Sequence, residues 1–476
     1  MANTDMHVDV AIVGAGTAGL NAMKEVQLAG KSFVLIDHGP LGTTCARVGC
    51  MPSKAVLHAG AVWQGYTLPA IGRGDAIKHE ISANDLWSKA QQTRTMLYSG
   101  LADRTRASAG DRLLMGHAQF VSPDAIEVDG QRIHAQAFVI ATGSTPVLPA
   151  FLDRVKDRVL TTDSVFDLDV LPETIGIIGL GAIGLEIGLA LARLGVRVIA
   201  ADKQQQAGGI SDPEISKRVL QRFGREKGLT MWLGTDISVQ PSEDGVSVSI
   251  SNGVTTEKVE WLLAAMGRKP NLAGLRLDLA GIDLNESGRP AVDPHTTRSG
   301  QSAIYFAGDV AGIRPLLHEA ADEGLIAGWN TARHGQTTAF HRRVPFAIVF
   351  SDPDIAAIGV PFHELDPDHT IIGAAFGQTN GRSRVMGAEE NLVRIYADAN
   401  SGELRGAAVF ASHGEHIAYL LAWAIQRGET AASLLEMPFY HPTVEEMVQA
   451  ALFDIVKQQG KPHICPVGLR PMKHRA

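Results

Sequence analysis

Cysteine is nearly absent from this chain: three residues in 476, at positions 45, 50 and 465. So few cannot build a disulfide scaffold, and a reducing compartment such as the cytoplasm fits this usage. A structural zinc site takes four ligands, usually in CxxC-type pairs, and no second cysteine pair exists, so no metal site is expected. Basic runs are also missing. The formal charge is −8 with no Lys/Arg-rich block, which gives no reason to expect nucleic acid. The opening residues, MANTDMHVDVAIVGAG, carry Asp5 and Asp9 but no basic n-region, which argues against a secretory signal. A single long apolar run exists, from Ile175 to Ala192, with Glu186 its only charge. Its length would allow a membrane span. Glycines punctuate it, however, and divide it into a strand and a helix, so it reads as buried and no membrane is expected.

What the chain does have is glycine in a repeated plan. At 476 residues it exceeds one ordinary core, and 45% apolar with 20% charged residues describes a globular protein of two to four domains. The apolar run Val8–Val13 leads into Gly14-x-Gly16-x-x-Gly19, a helical stretch to Gly30, and the strand-like SFVLI ending at Asp37. The plan recurs as Ile175–Ile178, Gly179-x-Gly181-x-x-Gly184, Gly195, then VRVIAA and Asp202. In both copies the acid lies 23 residues after the first glycine and seven after the helix-ending glycine. The first glycine permits a tight strand-to-helix turn, the second lets a pyrophosphate approach the backbone, and the third packs helix on strand. The helix N-terminus offers free N–H groups to phosphates, and Asp37 and Asp202 would accept hydrogen bonds from an adenosine ribose. Packing in a doubly wound sheet could demand the glycines, but not the acids. Three further strands running into glycine turns stand at 137–144, 261–271 and 303–310. From Arg343 onward the pattern becomes alternating strands and helices without nucleotide motifs, which predicts a separate C-terminal domain.

Cys45 and Cys50 lie in GTTCARVGCMPSK, just past the first nucleotide unit. A close cysteine pair beside a nucleotide site suggests a dithiol that exchanges electrons with a bound cofactor, although two inert buried thiols are the plainer alternative. Residues five apart on an ideal helix are about 8–9 Å apart at Cα, and a disulfide needs about 4.4–6.8 Å. Oxidation therefore requires a distorted turn, which Gly49 makes cheap, and a strained bond is readily reduced.

These segments resemble the class I pyridine nucleotide–disulfide oxidoreductases, and among them the dihydrolipoyl dehydrogenases most closely. GTTCARVGCMPSK is similar to the family's redox-disulfide motif, usually GGTCxNxGCxPSK. The likeness spans both nucleotide repeats, the ATG and GRxPN turns, AGD, FSDPDIAAIG and HPTVEE. It implies an α/β fold with two Rossmann-like domains, for FAD and NAD, plus a C-terminal α+β dimerisation domain. The implied boundaries are 1–149 and 273–343 for the FAD-binding and central parts, 150–272 for NAD, and 344–476 for the interface domain. It implies FAD at Gly14, Gly16, Gly19 and Asp37, with Asp309 on the ribityl side, Ala118 near the adenine, and Gly143 and Leu317 also on cofactor. Lys54 would lie beside the flavin ring, paired with Glu186. NAD would take Gly179, Gly181, Gly184 and Asp202, with Gly267 and Arg268 at the next turn. Cys45 would meet substrate and Cys50 would face the flavin. His441, extended before Pro442 and oriented by Glu446, would be the base, acting across a homodimer interface on the partner's cysteines. Thr443-x-x-Glu446 also has the form of a capping box.

Within the family, Asp202 favours the free 2′-hydroxyl of NAD over the phosphate of NADP, although Lys203 follows it. LLHEAADEG (316–324) is similar to the dehydrogenases' LxHxAxxEG. A lone Cys465, without the vicinal pair that mercuric reductases carry there, argues against mercury reduction. The resemblance thus implies oxidation of dihydrolipoyl groups, presented by a multienzyme complex, with reduction of NAD⁺. Thr43 in place of a usual glycine and Arg47 in place of an asparagine depart from the pattern. Arg47 could lower a thiolate pKa or recognise an acidic substrate, and so supports an alternative: an NAD(P)H-dependent reductase of another low-molecular-weight disulfide. A non-catalytic flavoprotein of a complex is a further alternative.

Overall fold

A computed structural model of the chain describes residues 5–67, 81–250, 254–460 and 465–472. Its first sheet is built on the strand Met6–Val13, which runs parallel to Phe33–Asp37 on one side and to Gln131–Ile140 on the other. Leu113–Met115 extends one edge. The other edge splits, with Ile304–Phe306 pairing in parallel at Phe138–Ile140 and the hairpin Ala118–Ser122/Ala125–Val128 adding antiparallel at the opposite end. The late strand Ile304–Phe306 thus returns to the first sheet after the chain has left it.

The second sheet repeats the design. Thr174–Ile178 lies between Arg197–Asp202 and Trp261–Ala264, all parallel, with Leu229–Leu233 and Val159–Leu160 at the edges. The run that could have passed for a membrane span is the strand Thr174–Ile178 followed by the helix Ala182–Arg193, in which every residue from Gly184 onward is buried. Among the described residues no helix is long and apolar enough to cross a membrane. A three-stranded antiparallel sheet, 237–259, sits beside this unit.

The C-terminal part departs from the alternation read in its sequence. Five strands come first, Phe346–Val349, Asp354–Gly359, Thr370–Phe376, Leu392–Asp398 and Leu404–Ala411, and form one antiparallel sheet. The longer helices, Gly414–Gln426 and Glu446–Gln459, come afterwards. Antiparallel strands can follow one another through short loops, whereas parallel ones need a crossover between them.

Buried charges tie this part to the second unit. Asp212, fully buried, accepts hydrogen bonds from Arg394 Nε at 2.8 Å and from the Tyr396 hydroxyl at 2.6 Å. Arg193 donates to the carbonyls of Ser351 and Asp352 at 2.8 and 2.9 Å. Unpaired, such groups would oppose folding by several kcal/mol each. Paired across the junction, they fix how the units meet.

Candidate active site

Both glycine turns stand at the carboxyl ends of their sheets, where open α/β sheets bind ligands. Gly14 has φ +109°, and a side chain there would lie 2.2 Å from the Ala141 carbonyl oxygen; one on Gly19 would lie 1.8 Å from the Gly14 oxygen. In the second copy Gly179 has φ +98° and would meet Ala265 O at 2.4 Å, and Gly184 would meet Gly179 O at 1.8 Å. The middle glycines differ in kind. A Cβ on Gly16 or Gly181 would meet no protein atom within 4 Å. Their smallness leaves room for something other than this chain, which is how a pyrophosphate cradle is built. The two sites therefore fit dinucleotides.

The two acids do more than the sequence predicts. Asp37 accepts the Ala15 N–H at 2.7 Å and the Gly39 N–H at 2.6 Å. Asp202 accepts the Leu180 N–H at 2.6 Å and the Gln204 N–H at 2.8 Å. Each carboxylate holds its own glycine turn in shape and keeps lone pairs free for a ribose. Ala118 opens a strand just beyond Gly116, whose N–H bonds the Asp37 carbonyl at 3.0 Å, so it stands near that acid.

A cavity of about 650 Å³ lies where the first unit, the second unit and the C-terminal sheet meet, and Cys45, Cys50, Lys54 and Glu186 line it together with Gly16, Gly143, Asp309 and Leu317. The cysteines sit on either side of a helix break. Thr44–Val48 is one short helix and Cys50–Thr67 the next, with Gly49 at φ −126°, ψ −120° between them. A side chain on Gly49 would press to 3.1 Å on the Cys45 Cα. Thr43, at the head of the short helix, has φ +58°, an uncommon conformation for a β-branched residue. Its hydroxyl accepts the Ala46 N–H at 3.3 Å, a cap that a glycine there could not provide. Both cysteines are free thiols. Cys50, exposed at its surface but partly desolvated, is drawn down to about 7 by the hydrogen bond it receives from Cys45 and by the nearby charge of Lys54. Cys45 moves upward because it gives that hydrogen bond and is partly desolvated. The pair is thus differentiated: Cys50 ionises first, and Cys45 holds its proton.

Lys54 Nζ donates to both Glu186 oxygens, at 2.9 and 2.7 Å, and stands 4.4 Å from the centre of the Phe350 ring. Glu186, almost fully buried, also accepts the Ser53 hydroxyl at 3.2 Å and the Phe350 N–H at 3.1 Å. No role for Ser53 or Phe350 follows from the sequence, although Ser53 stands in GTTCARVGCMPSK and Phe350 opens FSDPDIAAIG. Arg268, expected on the NAD side, shares a cavity with Ala182 and Ile183 of the second glycine turn. It lines the thiol cavity, donating from Nε to Ser144 Oγ at 2.8 Å, from Nη2 to Ser144 O at 2.7 Å and from Nη1 to Thr162 Oγ1 at 3.1 Å. Ser144 in turn donates to Asp309 at 2.5 Å. Sequence reasoning missed Ser144 and Thr162. Gly267, at φ +97°, makes the turn that delivers Arg268.

His441 and Arg47 stand outside this cavity. His441 Nδ1 is 2.9 Å from Glu446 Oε1, but its side chain is 77% exposed and it does not line the cavity. The His441–Pro442 peptide is cis. Only half of a capping box forms here: Glu446 accepts the Thr443 N–H at 3.0 Å, while the Thr443 hydroxyl turns to the Tyr440 carbonyl. Arg47 also stays off the cavity wall. Its carbonyl accepts Arg94 Nε at 2.5 Å, and its own Nε is buried without a hydrogen-bond partner. The cation that acts on Cys50 is Lys54.

Known proteins resemble this chain over most of its length. The sequence model of the pyridine nucleotide-disulphide oxidoreductases matches residues 8–324, and that of their dimerisation domain matches 345–452. A dihydrolipoyl dehydrogenase of Thermus scotoductus is 29% identical over 94% of this chain and 98% of its own length. A mercuric reductase of Bacillus cereus is 28% identical over 96% of this chain and 73% of its own. A glutathione reductase of Burkholderia cepacia is 28% identical over 92% and 97%. The crystal structure of LpdA from Mycobacterium tuberculosis superposes with a TM-score of 0.81 at 24% identity, covering 94% of this chain and 99% of that one. With two dinucleotide cradles around a differentiated thiol pair, the chain belongs to the pyridine nucleotide-disulphide oxidoreductases, enzymes that depend on FAD and a pyridine nucleotide.

Proposed function

We propose that this enzyme oxidises dihydrolipoyl groups, carried by a component of a multienzyme complex, to lipoyl groups and reduces NAD⁺. The observation that carries the reading is the unequal thiol pair, with Cys50 drawn down to about 7 between Cys45 and the Lys54 charge. In the working cycle a substrate thiolate attacks Cys45 of the Cys45–Cys50 disulfide and Cys50 leaves as thiolate, the better leaving group of the two. The second substrate sulfur then displaces Cys45, closing the lipoyl disulfide. His441, held by Glu446, takes the released proton. Because His441 lies off its own chain's cavity, it serves the cysteines of the second subunit in a homodimer built on residues 344–476.

FAD would be held by Gly14, Gly16, Gly19, Asp37 and Asp309, and NAD⁺ by Gly179, Gly181, Gly184 and Asp202; when bound, they supply the two-electron acceptors of the reaction. Residues 1–149 with 273–343 form the first of these domains and 150–272 the second. Asp202 supports NAD⁺ over NADP⁺. Steady-state turnover of dihydrolipoamide with NAD⁺ tests the substrate, and no turnover above background ends the proposal. Cys45→Ser should reduce that turnover at least about 10³-fold yet leave NADH-to-dye activity intact.

A second reading, an NAD(P)H-dependent reductase of another small disulfide, is favoured by the likeness to a glutathione reductase and a mercuric reductase at the same 28% identity. Faster turnover with such a disulfide and NADPH than with dihydrolipoamide and NAD⁺ would establish it.

A further inference from the structure

The segment Ser412-His413-Gly414-Glu415-His416 has no part in the redox site, yet it gathers three ligating side chains in one helical turn. The ligand atoms of His413, Glu415 and His416 all lie within 4.8 Å of one another. The two imidazole rings are near-parallel, 25° apart with centroids at 6.2 Å, and His416 Nε2 is 3.6 Å from Glu415 Oε1.

The backbone beneath this tripod is held from both sides. His413 has φ +57°, the left-handed region, and so its side chain leaves the chain where the helix Gly414–Gln426 begins. Gly414 is pressed on the strand Asp354–Gly359, since a Cβ there would meet the Asp354 Cβ at 2.9 Å. The Glu415 N–H reaches Asp354 Oδ2 at 3.3 Å, and the preceding Ser412 N–H reaches Asn391 Oδ1 at 3.1 Å. The two histidine side chains stand in solvent, while Glu415 is half-buried and its carboxylate shares a hydrogen bond with Asp354. The positive end of the helix dipole opposes a cation here; the Glu415 carboxylate offsets it.

We propose that His413, Glu415 and His416 form a surface site for a borderline divalent transition metal, Cu²⁺ or Zn²⁺, with water completing the coordination. Two imidazole nitrogens and one carboxylate select these ions over Mg²⁺ and Ca²⁺, which take all-oxygen shells. The set matches the two-histidine, one-carboxylate group that binds zinc with an open position. The tripod stands at the first turn of a helix whose later residues, Tyr419 and Trp423, line the thiol cavity.

The test uses FAD-loaded protein with its thiols blocked by N-ethylmaleimide, so that no cysteine competes. Titration with Cu²⁺ followed by electron paramagnetic resonance should show one tight equivalent with two nitrogen ligands; Zn²⁺ should compete for it only in large excess, since Cu²⁺ binds a given nitrogen–oxygen site more tightly, and excess Mg²⁺ should not compete. His416→Ala and His413→Asn should each weaken that equivalent at least about tenfold, an effect as large as losing an outer-shell partner. Asparagine is chosen because it tolerates the left-handed conformation. Both variants should keep the flavin content, melting temperature and NADH-to-dye activity of the parent. Binding in the double variant equal to that of the parent, or no tight equivalent in the parent, overturns the proposal.

Discussion

The two glycine turns of this protein share a backbone to within a few tenths of an ångström in their closest approaches, and each is clasped by its own aspartate at 2.7 or 2.6 Å. What surrounds them differs. The helix after the first turn, Thr17–Leu28, still shows exposed residues, whereas the helix after the second is buried from Gly184 to Arg193. That burial brings Glu186 to Lys54, 132 residues away in sequence, and makes the second nucleotide unit a structural partner of the thiol site. Duplication supplied two equal cradles; packing then gave the second a task in the chemistry of the first.

The largest effects should come from the third glycines. Gly19→Ala puts a methyl 1.8 Å from a carbonyl oxygen of the first turn, and Gly184→Ala does the same in the second. Backbone cannot yield as a side chain can, so each should exceed the ordinary overpacking cost of about 1–3 kcal/mol. Gly19→Ala should be purified without flavin absorbance. Gly184→Ala should keep its flavin but lose about 100-fold or more of its NADH-to-dye activity, equivalent to about 2.7 kcal/mol. Loss of flavin from both would mean that the cradles are not independent. Gly16→Ala is the contrasting case. With nothing within 4 Å, it should leave the melting temperature of the apoprotein unchanged and weaken only cofactor retention; a destabilised apoprotein would refute the view that this space belongs to a ligand.

Next in size are the changes at the junction. Lys54 lowers Cys50 and Glu186 raises it, so removing them should move the thiolate in opposite directions. In reduced protein, thiolate ultraviolet absorbance should appear near pH 7, shift upward in Lys54→Met and shift downward in Glu186→Gln. The sign for stability follows. A thiol depressed in the folded state contributes stability above its unfolded value, and that contribution fades as pH falls through about 7. Reduced parent protein should therefore gain stability from pH 7 to 9, and Lys54→Met should show a flatter profile. Equal shifts in both variants would remove the ion pair from any role in tuning Cys50.

What could be read from the sequence divides along the same line. Within each repeat, strand, turn, helix and acid follow from local rules, because the clashes that demand glycine arise within the unit itself. The contacts between units do not. Lys54 with Glu186 was legible only through family resemblance, since no periodicity links residues that far apart. The ring of Phe350 under Lys54 and the Arg268–Ser144–Asp309 chain were not legible at all, because each depends on how two sheets meet. The turn at Gly267 is local to the second unit, and the strand Arg268–Pro270 pairs with Ser144–Pro146 of the first, so the guanidinium bonds both units. The C-terminal strands failed a related test: local pattern showed strands and helices, but their grouping into one antiparallel sheet is a property of the whole.

The smallest predicted effect bears on how the second cradle chooses its nucleotide. Asp202 is committed at both oxygens to backbone N–H groups, at 2.6 and 2.8 Å, so it cannot swing aside for a 2′-phosphate. Lys203 is its opposite in every respect. Its side chain is 75% exposed and its one ion pair, to an Asp236 that is 90% exposed, spans 3.2 Å in open solvent. Pairs of that kind are worth at most about 1 kcal/mol, and a charge so hydrated contributes little to discrimination. Lys203→Ala should accordingly lower kcat/KM for NADPH by no more than about fivefold and leave that for NADH unchanged. Asp202→Asn should do more, because an amide presents N–H where Leu180 or Gln204 already donates, and the turn must loosen for both nucleotides. If Lys203→Ala instead costs NADPH turnover tenfold or more while Asp202→Asn is mild, the cradle grips a phosphate through the lysine, and the enzyme runs as a reductase of small disulfides rather than as a dihydrolipoyl dehydrogenase.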